Sequence, residues 1–329
     1  MNAFFCAESS RQAGEDIIGS GTNYATYILV ECPTPWAANA FDSKAVPENL
    51  KVLVHKVKQS QLSVRFLLLA PNQSPPTDGT KILIFEQEQG RLSRGYQKHE
   101  FNVPNIEQVA GVVEQYLAGE QLNCQQVTGE TRDILVCTHG SHDKCCARYG
   151  KPFYREALAT VAELSLSQVR IWQASHFGGH RFAPTAIDFP TGRYYGGLNR
   201  ESLSSILTRT GDIACLKRVY RGWSILPTSM QVVERELMLT HGWDWFNYKV
   251  AGRIIKQSFN NSTIKAELTF TKPDNSSYTY LAELVRDENR TLRLRGSCGA
   301  MKESEFVKYS VGSLNLVHYL DSTDNLQIA

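Results

Sequence analysis

The chain has 329 residues, 42% of them hydrophobic and 21% charged, which is enough apolar material for two or three domains with real cores and too balanced for a disordered chain. Its 35 basic and 33 acidic residues leave a net charge of +2, so the balance points neither to nucleic acid nor to an anionic membrane as partner. No run approaches the ~18 apolar residues of a membrane span, and the start from Met1 to Ser10 lacks the basic and apolar regions of a leader. A cytoplasmic location is expected. The eight cysteines are too unevenly placed for a small secreted disulfide framework.

Residues 1–122 read as an N-terminal α/β domain. A strand from Ala25 to Cys32 is ended by Pro33 and Pro35, a helix follows from Pro47 to Val57, and strands are expected at Val64–Leu69, Lys81–Glu86 and Tyr96–Val103. Ile106, Val109, Ala110, Val113, Tyr116 and Leu117 then form one face of a helix that starts after Pro104 and Asn105. This β-α-β-β-β-α order is compatible with a thioredoxin-like layer. Cys32 is expected as a core thiol at a strand end, whereas Cys6 has no ligand-type neighbour in sequence.

Residues 123–225 repeat the order: strand Asp133–Cys137, a polar loop, helix Pro152–Glu163, strand Ser167–Ala174, short strands near Thr185–Phe189 and Arg193–Gly196, and a helix after Asn199. Residues 226–329 read as a small α+β domain. A helix at Ser229–Thr240 precedes antiparallel strands at Tyr248–Ile255, Ile264–Thr271, Tyr278–Val285, Thr291–Gly296 and Val307–Leu314, and Cys298 lies in a loop as a bystander.

Two turns of the middle segment carry the chemistry. Cys137-Thr-His-Gly-Ser-His-Asp-Lys-Cys-Cys146 runs from a strand end to a point just before a helix, and His176-Phe-Gly-Gly-His180 follows the next strand. Thiolate and imidazole are the side chains that hold zinc, copper and iron–sulfur centres. A strand–loop–helix junction also aims backbone N–H groups at a negatively charged centre. Adjacent Gly178 and Gly179 would cost a helix interior ~2 kcal/mol, so the two histidines belong to a sharp turn. No His-Glu-x-x-His and no Cys-x-x-Cys occurs. Taken singly, the four residues also read as buried thiols and polar loop histidines.

The pattern Cys-x8-Cys followed by His-x-Gly-Gly-His resembles the signature of the sucrase/ferredoxin-like family, the thioredoxin-like ferredoxins. The likeness extends more loosely to Phe5-Cys-Ala-Glu-Ser-Ser-Arg11, to Ile28-Leu-Val-Glu-Cys-Pro33 before Trp36, and to Tyr220-Arg-Gly-Trp223. The resemblance implies a thioredoxin-like ferredoxin domain holding a [2Fe–2S] cluster, with Cys137 and Cys146 on one iron and His176 and His180 on the other. It selects Cys146 over neighbouring Cys145, which is left as a core thiol, and makes His139 and His142 spectators. Asp143 is expected to hydrogen-bond its own loop, and Arg181 to balance cluster charge, meet an acidic partner or lie plainly on the surface.

The implied function is that of a soluble one-electron carrier rather than a self-contained enzyme, although the sequence leaves catalysis open. With two thiolates replaced by neutral imidazoles, the potential should lie above that of plant-type ferredoxins, and it should fall as pH rises if the outer histidine nitrogens reach water. No glycine-rich nucleotide fingerprint follows a strand, so the redox partner is expected to be a separate protein. The rival readings are a structural zinc site and a partner-binding protein without redox activity. A hydrolase would need a pair of carboxylates that no spacing singles out. Oligomeric state is open.

Overall fold

Short apolar runs bounded by proline, glycine and polar turns become strands, and the amphipathic stretches between them become helices. The computed structural model describes residues 4–71, 79–122, 127, 129 and 131–321. The first part contains α1 (Cys6–Gln12), β1 (Thr26–Glu31), α2 (Glu48–Gln59), β2 (Val64–Leu69), β3 (Thr80–Gln87), β4 (Tyr96–Val103) and α3 (Val109–Leu117). The middle part contains β5 (Arg132–Cys137), α4 (Lys144–Glu163), β6 (Val169–Ala174), β7 (Thr185–Phe189), β8 (Arg193–Gly196), α5 (Arg200–Thr208), α6 (Leu216–Val219) and β9 (Tyr220–Trp223). The last part contains α7 (Met230–His241), β10 (Lys249–Gln257), β11 (Thr263–Thr271), β12 (Ser277–Arg286), the short β13 (Leu292–Leu294) and β14 (Ser304–Phe306), and β15 (Tyr309–Leu320).

The mixed α/β architecture centres on a nine-stranded sheet in the order β4-β3-β1-β2-β6-β5-β7-β8-β9. Its two halves follow one rule. In each, the first strand pairs in parallel with the strand after the helix and antiparallel with the next one: β1 with β2 and β3, and β5 with β6 and β7. The halves join at a single antiparallel pair, Leu69 opposite Ala174, which are the last residues of β2 and β6. Beyond that joint they fold against each other. Phe85 of β3 stacks on Phe189 of β7 at 4.2 Å, and Tyr27 of β1 shares a 3.0 Å hydroxyl hydrogen bond with Tyr194 of β8. Alternation explains both faces of the first half: Tyr27 and Leu29 enter this inter-sheet core, while Ile28 and Val30 pack with Leu50, Val54 and Val113 of α2 and α3.

The last part adds the antiparallel sheet β10-β11-β12-β15, and its apolar face belongs to the same core. Ile264, Ala266, Leu268 and Phe270 are all buried, as their strict alternation predicts. Most element bounds match expectation to within a residue or two. Helices α1 and α6 and strands β9 and β14 have no counterpart among the expected elements, and two expected elements differ in extent. Helix α4 begins at Lys144 rather than Pro152, because Asp143 caps it by accepting the Cys145 N–H at 2.8 Å. The strand expected over Val307–Leu314 is β15, which starts at Tyr309 and runs on to Leu320. The segment boundary expected at residues 122–123 falls against residues 123–126, outside the described residues. Among the described residues, no helix is long and apolar enough to cross a membrane.

Candidate metal centre

The pairing of β2 with β6 places the loops that follow β1 and β5 side by side, and the first supports the second. Ser141 Oγ donates to the Trp36 carbonyl at 2.5 Å, His139 Nε2 to the Ala37 carbonyl at 2.7 Å and His142 Nδ1 to the Ala38 carbonyl at 3.0 Å. His139 in turn accepts the backbone N–H of His176 on its Nδ1 at 3.2 Å, so one ligand-type loop holds the other. Gly150 of α4 comes so close to the end of β5 that a β-carbon there would lie 2.0 Å from the Cys137 carbonyl oxygen. That close approach brings Cys146, in the first turn of α4, beside Cys137.

Cys137, Cys146 and His176 converge, with His176 Nδ1 3.7 Å from the Cys137 sulfur and 3.6 Å from that of Cys146. The opposite nitrogen of His176, Nε2, lies 3.4 Å from Nδ1 of His180. His180 Nε2 donates to the Gly296 carbonyl at 2.7 Å, which leaves the Nδ1 lone pair facing inward. His176 thus belongs to two groups, one with Cys137 and Cys146 and one with His142 and His180, and it is the residue that links His180 to the sulfurs. Both thiols are buried, and the imidazoles lie toward the surface.

The electrostatics suit one thiolate, at Cys137, beside neutral imidazoles. Burial alone would push the Cys137 thiol up, but a hydrogen bond from Cys146, the backbone N–H groups of His139 and Phe177 and the Arg221 guanidinium outweigh it and hold Cys137 below the ordinary thiol range. Cys146 moves the other way, chiefly because it donates its proton to Cys137 and also through burial. Burial, reinforced by the neighbouring His142 and His180 rings, drives His176 down to about 2, and burial lowers His180 as well. Both imidazoles are neutral at neutral pH, the form that binds a metal.

Sequence reasoning passed over several participants. His142 is no distant spectator: its ring stacks on His176 at 4.0 Å, and its ligand atom lies within reach of those of His176 and His180. Arg221 is fully buried behind the histidine turn, donating to the Gly178 carbonyl at 3.1 Å and the Ser20 carbonyl at 2.7 Å. Its position in Tyr220-Arg-Gly-Trp223 was the available signal. Arg181 is committed to a contact with Glu15 at 3.1 Å and stacks on Phe306 at 3.8 Å. Cys32 sits in the α2–α3 core as expected. Cys298 departs from its bystander reading: its sulfur lies 3.3 Å from that of Cys145 and 3.7 Å from that of Cys6.

A model of the sucrase/ferredoxin-like family matches residues 17–222, which includes Cys137, Cys146, His176 and His180. The chain is also similar to a protein of Meyerozyma guilliermondii named altered inheritance of mitochondria protein 32, at 31% identity over 104 residues. That match covers 30% of this chain and 36% of the relative, so the chain spans little more than a third of that relative's length. No solved structure matches the chain.

Proposed function

Since the chain belongs to the sucrase/ferredoxin-like family, we propose that it is a one-electron carrier whose [2Fe–2S] cluster is held by Cys137 and Cys146 on one iron and by His176 and His180 on the other. The observation that carries this reading is the sorting of the donors: two buried thiols on one side of His176, and the inward lone pair of His180 on the other. The order β2-β1-β3-β4, with its counterpart β6-β5-β7-β8, supports a thioredoxin-like layer in each half.

Once bound, such a cluster would accept and return one electron at a potential raised by its neutral imidazole ligands. The chain's own residues prepare the place. Arg221 and the N–H groups of His139 and Phe177 stabilise the Cys137 thiolate. Gly296 holds a proton on Nε2 of His180, fixing the ligating tautomer. His142 lies over the outer face of His176. Because the outer nitrogen of His180 is bonded to a carbonyl, loss of its proton is opposed, and the fall of potential with pH should begin above the range in which a free imidazole titrates. The electron donor and acceptor are then separate proteins.

A structural zinc ion is the second reading, favoured by the short span from His176 Nδ1 to both sulfurs, which a single ion can bridge. Absorption and low-temperature paramagnetic resonance spectra of anaerobically purified protein separate the two. A red-brown protein that becomes paramagnetic on reduction, with a signal that shifts in His180→Cys, supports the cluster. A colourless protein whose bound metal is zinc, lost on Cys137→Ser, sinks electron transfer and makes the site structural.

A further inference from the structure

Around Asp143, three sulfurs come together from the two ends and the middle of the chain. Cys6 lies on α1, Cys145 in the first turn of α4, and Cys298 in the loop between β13 and β14. Their Sγ atoms form a nearly equilateral triangle with edges of 3.5, 3.3 and 3.7 Å. Cys6 and Cys145 are buried, and Phe4, Phe5, Tyr149 and Ala183 pack around the group.

The arrangement has ligand-like support. Asp143 completes it with Oδ1, 3.9 Å from the Cys6 sulfur, and the four ligand atoms all lie within 4.8 Å of one another. The carboxylate is itself fixed, accepting the backbone N–H of Cys145 at 2.8 Å and that of Cys298 at 2.9 Å. The Ala7 N–H points at the Cys145 sulfur from 3.4 Å. These are donors aimed at negative charge, as thiolate sites require.

We infer that Cys6, Cys145 and Cys298, with Asp143, form a second metal site that takes one zinc ion and staples the N-terminal helix and the C-terminal hairpin to the helix carrying the cluster cysteine. The size of the triangle decides for a single ion. With Zn–S bonds of about 2.3 Å, a tetrahedral site places its sulfurs ~3.8 Å apart. A polynuclear cluster, with each thiolate on its own iron, needs them much farther apart. A disulfide needs two of them at about 2.05 Å. On binding, zinc replaces the three thiol protons, which pass to solvent, and no redox change is involved. The consequence for the neighbouring centre is mechanical. The loop that supplies Cys298 also supplies the Gly296 carbonyl to His180, and Asp143 lies 3.9 Å from His180 Nε2.

The inference does not depend on which metal occupies the neighbouring centre. Its test is metal analysis of the full-length protein, expressed with zinc and iron and purified anaerobically, beside Cys6→Ser, Cys298→Ser and Cys137→Ser. The wild type should carry about one zinc per chain that depends on Cys6 and Cys298, each replacement weakening zinc by more than ~100-fold in chelator competition. Both variants should keep whatever metal Cys137→Ser loses, and Cys137→Ser should keep this zinc. Cys298→Ser, altered in a half-exposed loop, provides a folded variant if Cys6→Ser fails to fold. Cobalt offers a second readout: wild-type protein loaded with Co(II) should show thiolate-to-cobalt charge transfer and tetrahedral bands that Cys298→Ser lacks. Zinc-supplied wild type without zinc, zinc indifferent to Cys298→Ser, or a disulfide among the three cysteines found by mass spectrometry without reduction would each overturn the site.

Discussion

Gly179 shows how one residue without a side chain shapes the candidate site. Its φ of +78° lies in the left-handed region, and a β-carbon there would sit 2.5 Å from Cζ of Arg221. A β-carbon on Gly178, at φ +101°, would meet only Thr22 within 4 Å. Gly179→Ala should therefore cost about 1–3 kcal/mol for its backbone alone, more once Arg221 is displaced, and it should reduce metal retention. Gly178→Ala should bear the backbone cost without that loss. Thermal unfolding and metal content of the two variants check this, and equal metal loss in both would remove Arg221 from the explanation. A second expectation concerns charge at the site: if His180 ligates the proposed cluster, His180→Cys substitutes an anionic ligand for a neutral one. It should lower the reduction potential by on the order of 100–300 mV, measured by spectroelectrochemical titration, and a potential that stays put would mean that His180 is not a ligand.

At the scale of elements, an ion network ties the folded halves of the sheet together. Arg170 of β6 makes paired hydrogen bonds to Glu100 of β4 at 2.9 and 2.8 Å and also reaches Asp133 of β5, while Lys98 contacts both carboxylates. Burial alone would raise Glu100, but Arg170, Lys98 and Lys81 outweigh it and lower it to about 2. A carboxylate whose folded value lies below its unfolded one contributes stability that is fully present above the unfolded value of about 4.5 and is lost as pH falls toward 2. Acid should thus destabilise the protein across that window, and Glu100→Gln should be less stable at neutral pH yet flatter between pH 4.5 and 2 in denaturant titrations. An unchanged slope would assign the acid sensitivity to other groups. The same scale explains what the sequence disclosed. Alternation marked β11 plainly, since Ile264, Ala266, Leu268 and Phe270 share one buried face. The start of α4 was hidden because the apolar residues of Lys144 to Arg148 are three in a row, Cys145, Cys146 and Ala147, rather than at helical spacing, so only the Asp143 cap marks it, and Pro152 misled by suiting a first turn. The four candidate ligands were legible because each pair lies within one stretch of the sequence. The sulfur triangle was not, since 139 and 153 residues separate its members, and only the folded chain shows that Cys6 and Cys298 share a partner.

For the molecule as a whole, the family match ends at residue 222, but the packing does not. Val233, Leu237, Trp245 and Phe270 enter the same core as Tyr194 and Trp223. The joint is also ionic: Arg193 of β8 and Glu234 of α7 meet at 2.8 Å, both fully buried, with Tyr220 and Trp245 bonded to the same pair. A buried pair of this kind contributes little net stability as long as it is whole, because desolvation offsets its attraction, but removing one partner strands the other charge. Glu234→Ala should therefore lower stability by about 3–5 kcal/mol, although it lies outside the matched region and away from every candidate ligand. Replacing both partners with apolar residues of similar volume, Arg193→Met with Glu234→Leu, should recover most of that loss. Equilibrium unfolding of Arg193→Met, Glu234→Leu and the double completes the cycle. Two losses that simply add would show that the C-terminal part rests on the sheet without being coupled to it, whereas strong coupling would mean that β8, and through it the half that carries the candidate metal centre, depends on a helix that the family match does not include.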